Sequence, residues 1–211
     1  MRSIRRYSHN ISQIYGRGAQ GFSDFFKSAH DFLDSDRRKF IKSMPNKAEI
    51  LDCGCGPGQE SQVFAKLGFN VTGIDITAEF VDMAAMRVPE ARFLQMDMMA
   101  LSLPPNTFDG IWACFSLIHI HKNDVPKVLT GFKRVMRAHG KIMIAVHRGP
   151  KTDWVMANIS GMNLNCSVQE WVQSDFERVI QENGFEIEYS RPFERPGGRF
   201  PLLCVMAKLA H

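Results

Sequence analysis

From residue 49 onward the chain alternates short apolar runs with longer segments whose apolar positions recur every three or four residues. The runs read as strands and the segments as helices. In order, the pattern predicts a strand around Ile50 and Leu51, a helix over about 59–67 closed by Gly68, and a strand at Asn70–Asp75. A helix over about 78–88 capped by Thr77 follows, then strands at Arg92–Met96 and Thr107–Phe115. The next helix runs from Asn123, or Asp124, to Ala138, with Val125, Val128, Leu129, Phe132, Val135 and Met136 on one stripe. It leads to a strand at Lys141–Val146. A helix at Gln169–Asn183, ended by Gly184, precedes a closing antiparallel pair at Phe185–Tyr189 and Phe200–Lys208. Residues 147–168 show no clean period. Upstream, residues 24–42 mix Phe25, Phe26, Phe32, Leu33, Phe40 and Ile41 with charges, as one or two amphipathic helices do, and Met44-Pro-Asn46 breaks the chain before the core. Strands alternating with helices predict an α/β domain built on a parallel sheet.

The length of 211 residues fits one such domain with an extension, divided here as 1–45 (helical) and 46–211 (one globular unit). Five scattered cysteines, an odd number, point to a reducing compartment, taken as the cytoplasm, and not to a disulfide framework. Cys53 and Cys55 form a C-x-C without a second pair, so no metal is expected. No apolar run reaches the roughly 18 residues of a membrane span, and no secretory signal is visible. The formal charge of +4 comes without basic blocks, which argues against a nucleic-acid partner. The first 23 residues are arginine-bearing and acid-free, a composition shared with mitochondrial transit segments.

The candidate chemistry gathers at strand ends. In Glu49-Ile-Leu-Asp-Cys-Gly-Cys-Gly-Pro-Gly58 a short strand breaks into a turn with Gly54, Gly56 and Gly58 and then enters a helix. Such a turn lets a ligand approach backbone amides at a helix N-terminus. Asp52, Asp75 and Asp97 fall at the carboxyl ends of three successive strands, where open α/β sheets bind ligands. Asp75 is placed to accept the hydroxyls of a ribose. The glycine spacing departs from the G-x-G-x-x-G of dinucleotide folds, because Gln59 takes the last fingerprint position.

The D-x-G-x-G-x-G pattern resembles motif I of the class I, Rossmann-like S-adenosylmethionine-dependent methyltransferases, and the segment Leu-Pro-Pro-Asn-Thr-Phe-Asp109 resembles their lead into strand four. The likeness covers about residues 48–148. It implies a three-layer α/β sandwich with a seven-stranded mixed sheet in the order 3-2-1-4-5-7-6 and an N-terminal helical extension. It further implies S-adenosyl-L-methionine as cofactor: Asp52, Gly54, Gly56 and Gly58 at the methionine end, Asp75 with Ile76 at the ribose, Asp97 and Met98 at the adenine, and Phe115 bounding the methionine part. Tyr15 resembles a lid tyrosine, the alternative being a tyrosine packed on the sheet. His119 is the tentative catalytic residue, with a structural histidine as the other reading; His121 is weaker. His147 and Trp154 are candidates for the acceptor pocket. Arg195 and Arg199 suit an anionic acceptor or simply solvent. Asp109, at a strand's beginning, is expected to be structural, and His139 stands where the family carries glycine. The implied activity is methyl transfer to an acceptor expected to be a small molecule. Two rivals stay open, a cofactor-binding regulatory protein without catalysis and, less favoured, an NAD(P)-dependent oxidoreductase.

Overall fold

A computed structural model describes residues 11–150, 154–158, 165–194 and 200–210. Helix α1 covers 11–17, α2 Ala19–Ala29 and α3 Asp34–Lys42, with a 3-10 turn at His30–Leu33. The core domain then runs β1 Glu49–Cys53, α4 Gln59–Lys66, β2 Asn70–Asp75, α5 Ala78–Arg87, β3 Arg92–Gln95 and β4 Phe108–Cys114. After two 3-10 turns come α6 Val125–Val135, β5 Met136–Arg148, β6 Trp154–Asn158, β7 Asn165–Trp171, α7 Gln173–Glu182, β8 Phe185–Phe193 and β9 Leu202–Leu209.

Seven of these strands form the expected sheet. β3, β2, β1, β4 and β5 are parallel neighbours, β9 runs antiparallel beside β5, and β8 antiparallel beside β9. Their order is β3-β2-β1-β4-β5-β9-β8, which is the expected 3-2-1-4-5-7-6 when these seven are counted alone. The sheet nevertheless has nine strands, because residues read as irregular form a hairpin of β6 and β7. β7 joins β5 in parallel through His147↔Glu170 and Arg148↔Trp171. β9 already occupies one edge of β5 as far as His147, so β7 must take the other edge, the one β4 occupies up to Ala145. The hairpin therefore continues the sheet beyond the carboxyl end of β4. The predicted helix at Gln169 accordingly starts only at Gln173, since the chain is still a strand at Trp171.

Both faces of the sheet are covered, which the side-chain alternation makes visible. On one face Leu51, Ile111, Ala113, Ile142, Ile144, Leu203 and Val205 meet the stripe of α6 and Phe176 and Ile180 of α7. On the other, Ile50, Trp112, Met143, Ala145, Cys204 and Met206 meet Leu33 and Phe40 of the extension and Phe64 of α4. Trp112 is clasped edge-on by Phe40 and Phe64 at 5.4 and 5.5 Å between ring centroids. Burying rings of this size is a leading contribution to a core.

The α6 boundaries shift for local reasons. Pro126 suits a first helical turn, so the helix proper starts at Val125 with Asp124 as its N-cap but without a side-chain bond. The helix stops at Val135, and the chain turns extended at Met136. His139 takes φ +65°, the left-handed conformation that favours glycine. Asp109 is structural, as expected: its Oδ2 accepts from the Glu49 amide at 2.8 Å and from Arg137 Nη1 at 2.7 Å, at the sheet end away from the crevice.

Polar ties fix α3 to the domain. Asp36, fully buried, is paired with Arg191 of β8, whose guanidinium lies 3.8 Å from the centre of the Phe193 ring. Arg37 bonds both carboxylate oxygens of Glu60 on α4 at 2.7 and 3.1 Å. No helix among the described residues is long and apolar enough to cross a membrane.

Candidate cofactor and acceptor crevice

The parallel order of β2, β1 and β4 brings their carboxyl ends to one side of the sheet, and a crevice of about 1190 Å³, its open mouth included, lies there. The glycine turn forms its floor. The amides of Gly54 and Cys55 both donate to the Ile74 carbonyl, at 2.8 and 2.9 Å, folding the turn over the end of β2. Gly54, Gly56 and Gly58 all have positive φ, but they serve different neighbours. A side chain at Gly54 would run into Cβ of Ser116, and one at Gly58 would come within 2.9 Å of Ala84 Cβ. Gly56 has open ground before it, with only a Phe22 ring atom at 3.9 Å. The close ligand approach expected of all three glycines is thus available at Gly56. Gly54 and Gly58 are small because protein packs on them, and Gly58 does not line the crevice.

Three carboxylates converge on the crevice. Asp75 accepts the Gly56 amide on Oδ2 and the Thr77 amide on Oδ1, both at 2.9 Å, so its orientation is fixed by backbone. Burial raises its pKa against the opposing effect of those amides. Asp52, only 2% exposed, accepts a 2.6 Å bond from the Ser61 hydroxyl. Burial pushes its carboxyl up to about 7, the Ser61 bond opposing. Asp97 accepts the Met99 amide at 2.9 Å and caps the 3-10 turn Met98–Ala100, and it lines the crevice together with Met98 and Ile76.

The N-terminal extension roofs this space with aromatic rings. Tyr15 stands edge-on to Phe22 at 5.1 Å and tilted against Phe80 at 5.7 Å, while Phe22 and Phe80 are 5.2 Å apart. The Tyr15 hydroxyl lies 2.6 Å from Nε2 of His119, which is 8% exposed. Tyr15 and His119 both line the crevice, and Tyr15 also packs against the core beneath it. Phe22, Phe32 and Phe80 also line it and were not singled out in the sequence. Phe32 reads in the sequence as an apolar position of an amphipathic helix, while Phe22 lies just before that run and Phe80 within α5.

At the β4 end, Phe115 adopts φ +59°, a conformation costly for a bulky residue, while its amide bonds the Ala145 carbonyl at 2.9 Å. Ser116 beside it has a buried hydroxyl without a hydrogen-bond partner among the described residues. His147 lies outside this lining but packs edge-on to Phe115 at 5.9 Å. Burial, with the nearby His119, lowers its pKa to about 4. His121 instead holds a local turn, its Nδ1 accepting from the Asn123 amide at 3.2 Å. Trp154 begins β6, and its side chain, like Arg195 and Arg199, lies outside the described residues. Among the described residues no cluster of three or more His, Cys, Asp or Glu is placed to hold a metal.

A floor glycine thus faces three acid-tipped strand ends of an α/β sheet under an aromatic roof. Residues 50–140 match the family model of the methyltransferase domain. In that stretch and in its fold the chain is similar to S-adenosylmethionine-dependent methyltransferases. Among relatives, the protein YqeM of Bacillus subtilis, which carries a methyltransferase name, is 28% identical over 187 residues, covering 83% of this chain and 76% of its own. The 2-methyl-6-phytyl-1,4-hydroquinone methyltransferase of Synechocystis is 39% identical over 95 residues, covering 43% of this chain and 30% of that protein. Against several other curated relatives the chain spans about half of their length. The fold is shared with the crystal structure of Burkholderia thailandensis 1,6-didemethyltoxoflavin-N1-methyltransferase bound to 1,6-didemethyltoxoflavin and S-adenosylhomocysteine, at TM-score 0.78 and 18% identity over 98% of this chain and 90% of that one.

Proposed function

We propose that the protein transfers the methyl group of S-adenosylmethionine to a small-molecule acceptor, with no membrane or nucleic-acid partner. The observation that carries this is the convergence of Asp52, Asp75 and Asp97 on one crevice floored by Gly56. The residues fit the cofactor. Asp75, oriented by two amides, keeps lone pairs free for two ribose hydroxyls. Asp97 would take the adenine amino group, with Met98 and Ile76 against the ring. Asp52 has no cationic partner among the described residues, and an ammonium group at the methionine end would supply one. The orphaned Ser116 hydroxyl is a further donor there, beside Gly54 and Phe115. Segment 1–45 acts as a lid through Tyr15, and 46–211 as the catalytic unit. Among the described residues Cys53, Cys55, Cys114 and Cys204 are free and buried or half-buried, which supports a reducing, cytoplasmic setting.

When bound, the cofactor supplies a methyl group already activated on a sulfonium. The chain's task is alignment and exclusion of water, and alignment is worth about 7–11 kcal/mol. Phe115 and the lid rings exclude water. His119, oriented by Tyr15, is the proposed recipient of a proton where the acceptor has one to lose.

Titration calorimetry with S-adenosylhomocysteine tests the reading. Asp75→Ala is expected to weaken binding about tenfold or more, the loss of at least one hydrogen bond to a charged group. Labelled cofactor incubated with a small-molecule extract is expected to yield labelled product. Folded protein that binds no S-adenosylhomocysteine would overturn the proposal.

A further inference from the structure

The large aromatic residues of this chain fall into two populations. Trp112, Phe40, Phe64, Phe108, Phe132 and Phe176 are buried to within 2% of completely. Five other rings touch one another in a row and each keeps part of its surface open: Phe193, Phe32, Phe115, His147 and Phe200. The centroid separations along the row are 6.3, 5.8, 5.9 and 4.7 Å. They come from five separate places in the chain: the end of β8, the turn before α3, the end of β4, the end of β5 and the approach to β9. A contiguous set of half-open rings on a soluble-type surface marks a binding site more often than a defect in packing.

Two features tie the row to the crevice. Phe32 and Phe115 line the crevice, so the row continues that space away from the adenosyl end. Phe115 is also held at positive φ, which turns its ring toward a place an ordinary strand end does not reach. One polar atom interrupts the apolar row: Nδ1 of His147 is buried and has no hydrogen-bond partner among the described residues. A buried polar atom left unpaired is costly unless something arrives to pair with it.

We propose that the acceptor is a flat conjugated ring carrying a hydroxyl or amino group, bound against this row of rings with that group hydrogen-bonded to His147. The inference rests on the methyl-transfer reading above and names the substrate class of the same site. A flat ring matches the row because aromatic faces and edges pair favourably, beyond the area they bury. The depressed basicity of His147 keeps its imidazole neutral near pH 7, so the ring has one nitrogen to accept a bond and one to donate. His147 is thereby a positioning group, and proton removal stays with His119.

The test uses the full chain saturated with S-adenosylhomocysteine and a matched set of probes: 2-naphthol, its saturated counterpart decahydro-2-naphthol, and 2-methoxynaphthalene, which lacks the O–H. Binding is read by saturation-transfer NMR and calorimetry. 2-Naphthol is expected to bind roughly three- to tenfold more tightly than the saturated alcohol, the range of an aromatic pair. Phe200→Leu and Phe193→Leu, which keep apolar bulk, are expected to remove most of that preference and leave S-adenosylhomocysteine affinity within about twofold. His147→Phe is expected to weaken 2-naphthol about fivefold or more and to spare 2-methoxynaphthalene. Equal binding of flat and saturated probes, or a preference indifferent to Phe200→Leu and His147→Phe, overturns the inference while the cofactor heat leaves the methyl-transfer reading standing. Absence of the cofactor heat itself overturns both.

Discussion

Loading the protein with S-adenosylhomocysteine is expected to expel a proton, and Asp52 is its source. The carboxyl is 2% exposed, its side-chain bond comes from the neutral Ser61 hydroxyl, and burial brings its pKa from 3.8 to about 7. An ammonium group placed beside it favours the ionised form and pulls the pKa back down. With a free-state pKa of about 7, the proton released per cofactor bound is about 0.9 at pH 6, 0.5 at pH 7 and 0.1 at pH 8. Calorimetry in buffers of contrasting ionisation enthalpy measures this number as the slope of observed heat against buffer enthalpy. Asp52→Asn is expected to bring the slope at pH 6 near zero and to weaken binding. A wild-type slope near zero at pH 6, or an unchanged slope in Asp52→Asn, refutes the reasoning. The same shift has a stability consequence of fixed sign. Between about pH 4 and 7 the folded chain holds a proton that the unfolded chain has lost, so raising the pH across that window costs the free protein up to about 4 kcal/mol. His147 works in the opposite sense. Its lowered pKa makes stability fall as pH drops from 6.5 toward 4. The two effects oppose each other between about pH 4 and 6.5, and denaturant midpoints there should be nearly flat in the wild type. Asp52→Asn should expose a loss of stability on acidification, and His147→Gln a gain.

Gly54 and Gly56 should separate in their effects. Gly54→Ala meets Ser116 and is expected to lower stability by roughly 2–3 kcal/mol in urea. Gly56→Ala carries about 1–2 kcal/mol of left-handed strain but places its methyl in the crevice, and should weaken S-adenosylhomocysteine by about tenfold or more. Asp36→Ala leaves Arg191 without its buried partner and is expected to cost about 3 kcal/mol by denaturant unfolding, whereas Asp36→Leu with Arg191→Met should recover much of it. Tyr15→Phe removes the 2.6 Å contact with His119 and should speed S-adenosylhomocysteine release in stopped-flow measurements by roughly three- to tenfold.

The parts of the molecule that were legible in the sequence are those where periodicity and position carry the same message. Asn70–Asp75 is a strand over the residues expected, because its apolar run is bounded by a helix-ending glycine on one side and an acid on the other. The seven main strands follow from the alternation of strand and helix, since parallel neighbours need crossover helices. The acids at the strand ends were legible for the same reason: a parallel sheet sends all its carboxyl ends one way. The hairpin was not legible. Its strands pair mainly with each other and touch the sheet through two residue pairs, so no strong apolar alternation marks them. The α6 boundary was missed because Met136 continues the apolar stripe of a helix while its backbone is already extended. The role of Phe22 and Phe80 was hidden because an aromatic residue that roofs a crevice and one that packs a core look alike in one dimension.

This division follows the physics of the two halves of the site. The adenosyl half is made by strand ends and one turn, and every feature it needs is dictated locally by the requirement to end a buried strand and begin a helix. Its architecture can therefore be shared by proteins of very different sequence, as the 18% identity behind a TM-score of 0.78 illustrates for the fold. The proposed acceptor half is the row of Phe193, Phe32, Phe115, His147 and Phe200, brought together by long-range packing, and of its phenylalanines Phe32 and Phe115 line the crevice. Nothing in the requirement to build a sheet constrains those residues. On the proposed reading, exchanging them is expected to change what is methylated and to leave the fold and the cofactor site in place. A chimera carrying another member's 147–171 segment is accordingly expected to keep S-adenosylhomocysteine affinity within about threefold and to change its acceptor preference. Loss of cofactor binding in a well-folded chimera would show that the two halves are coupled.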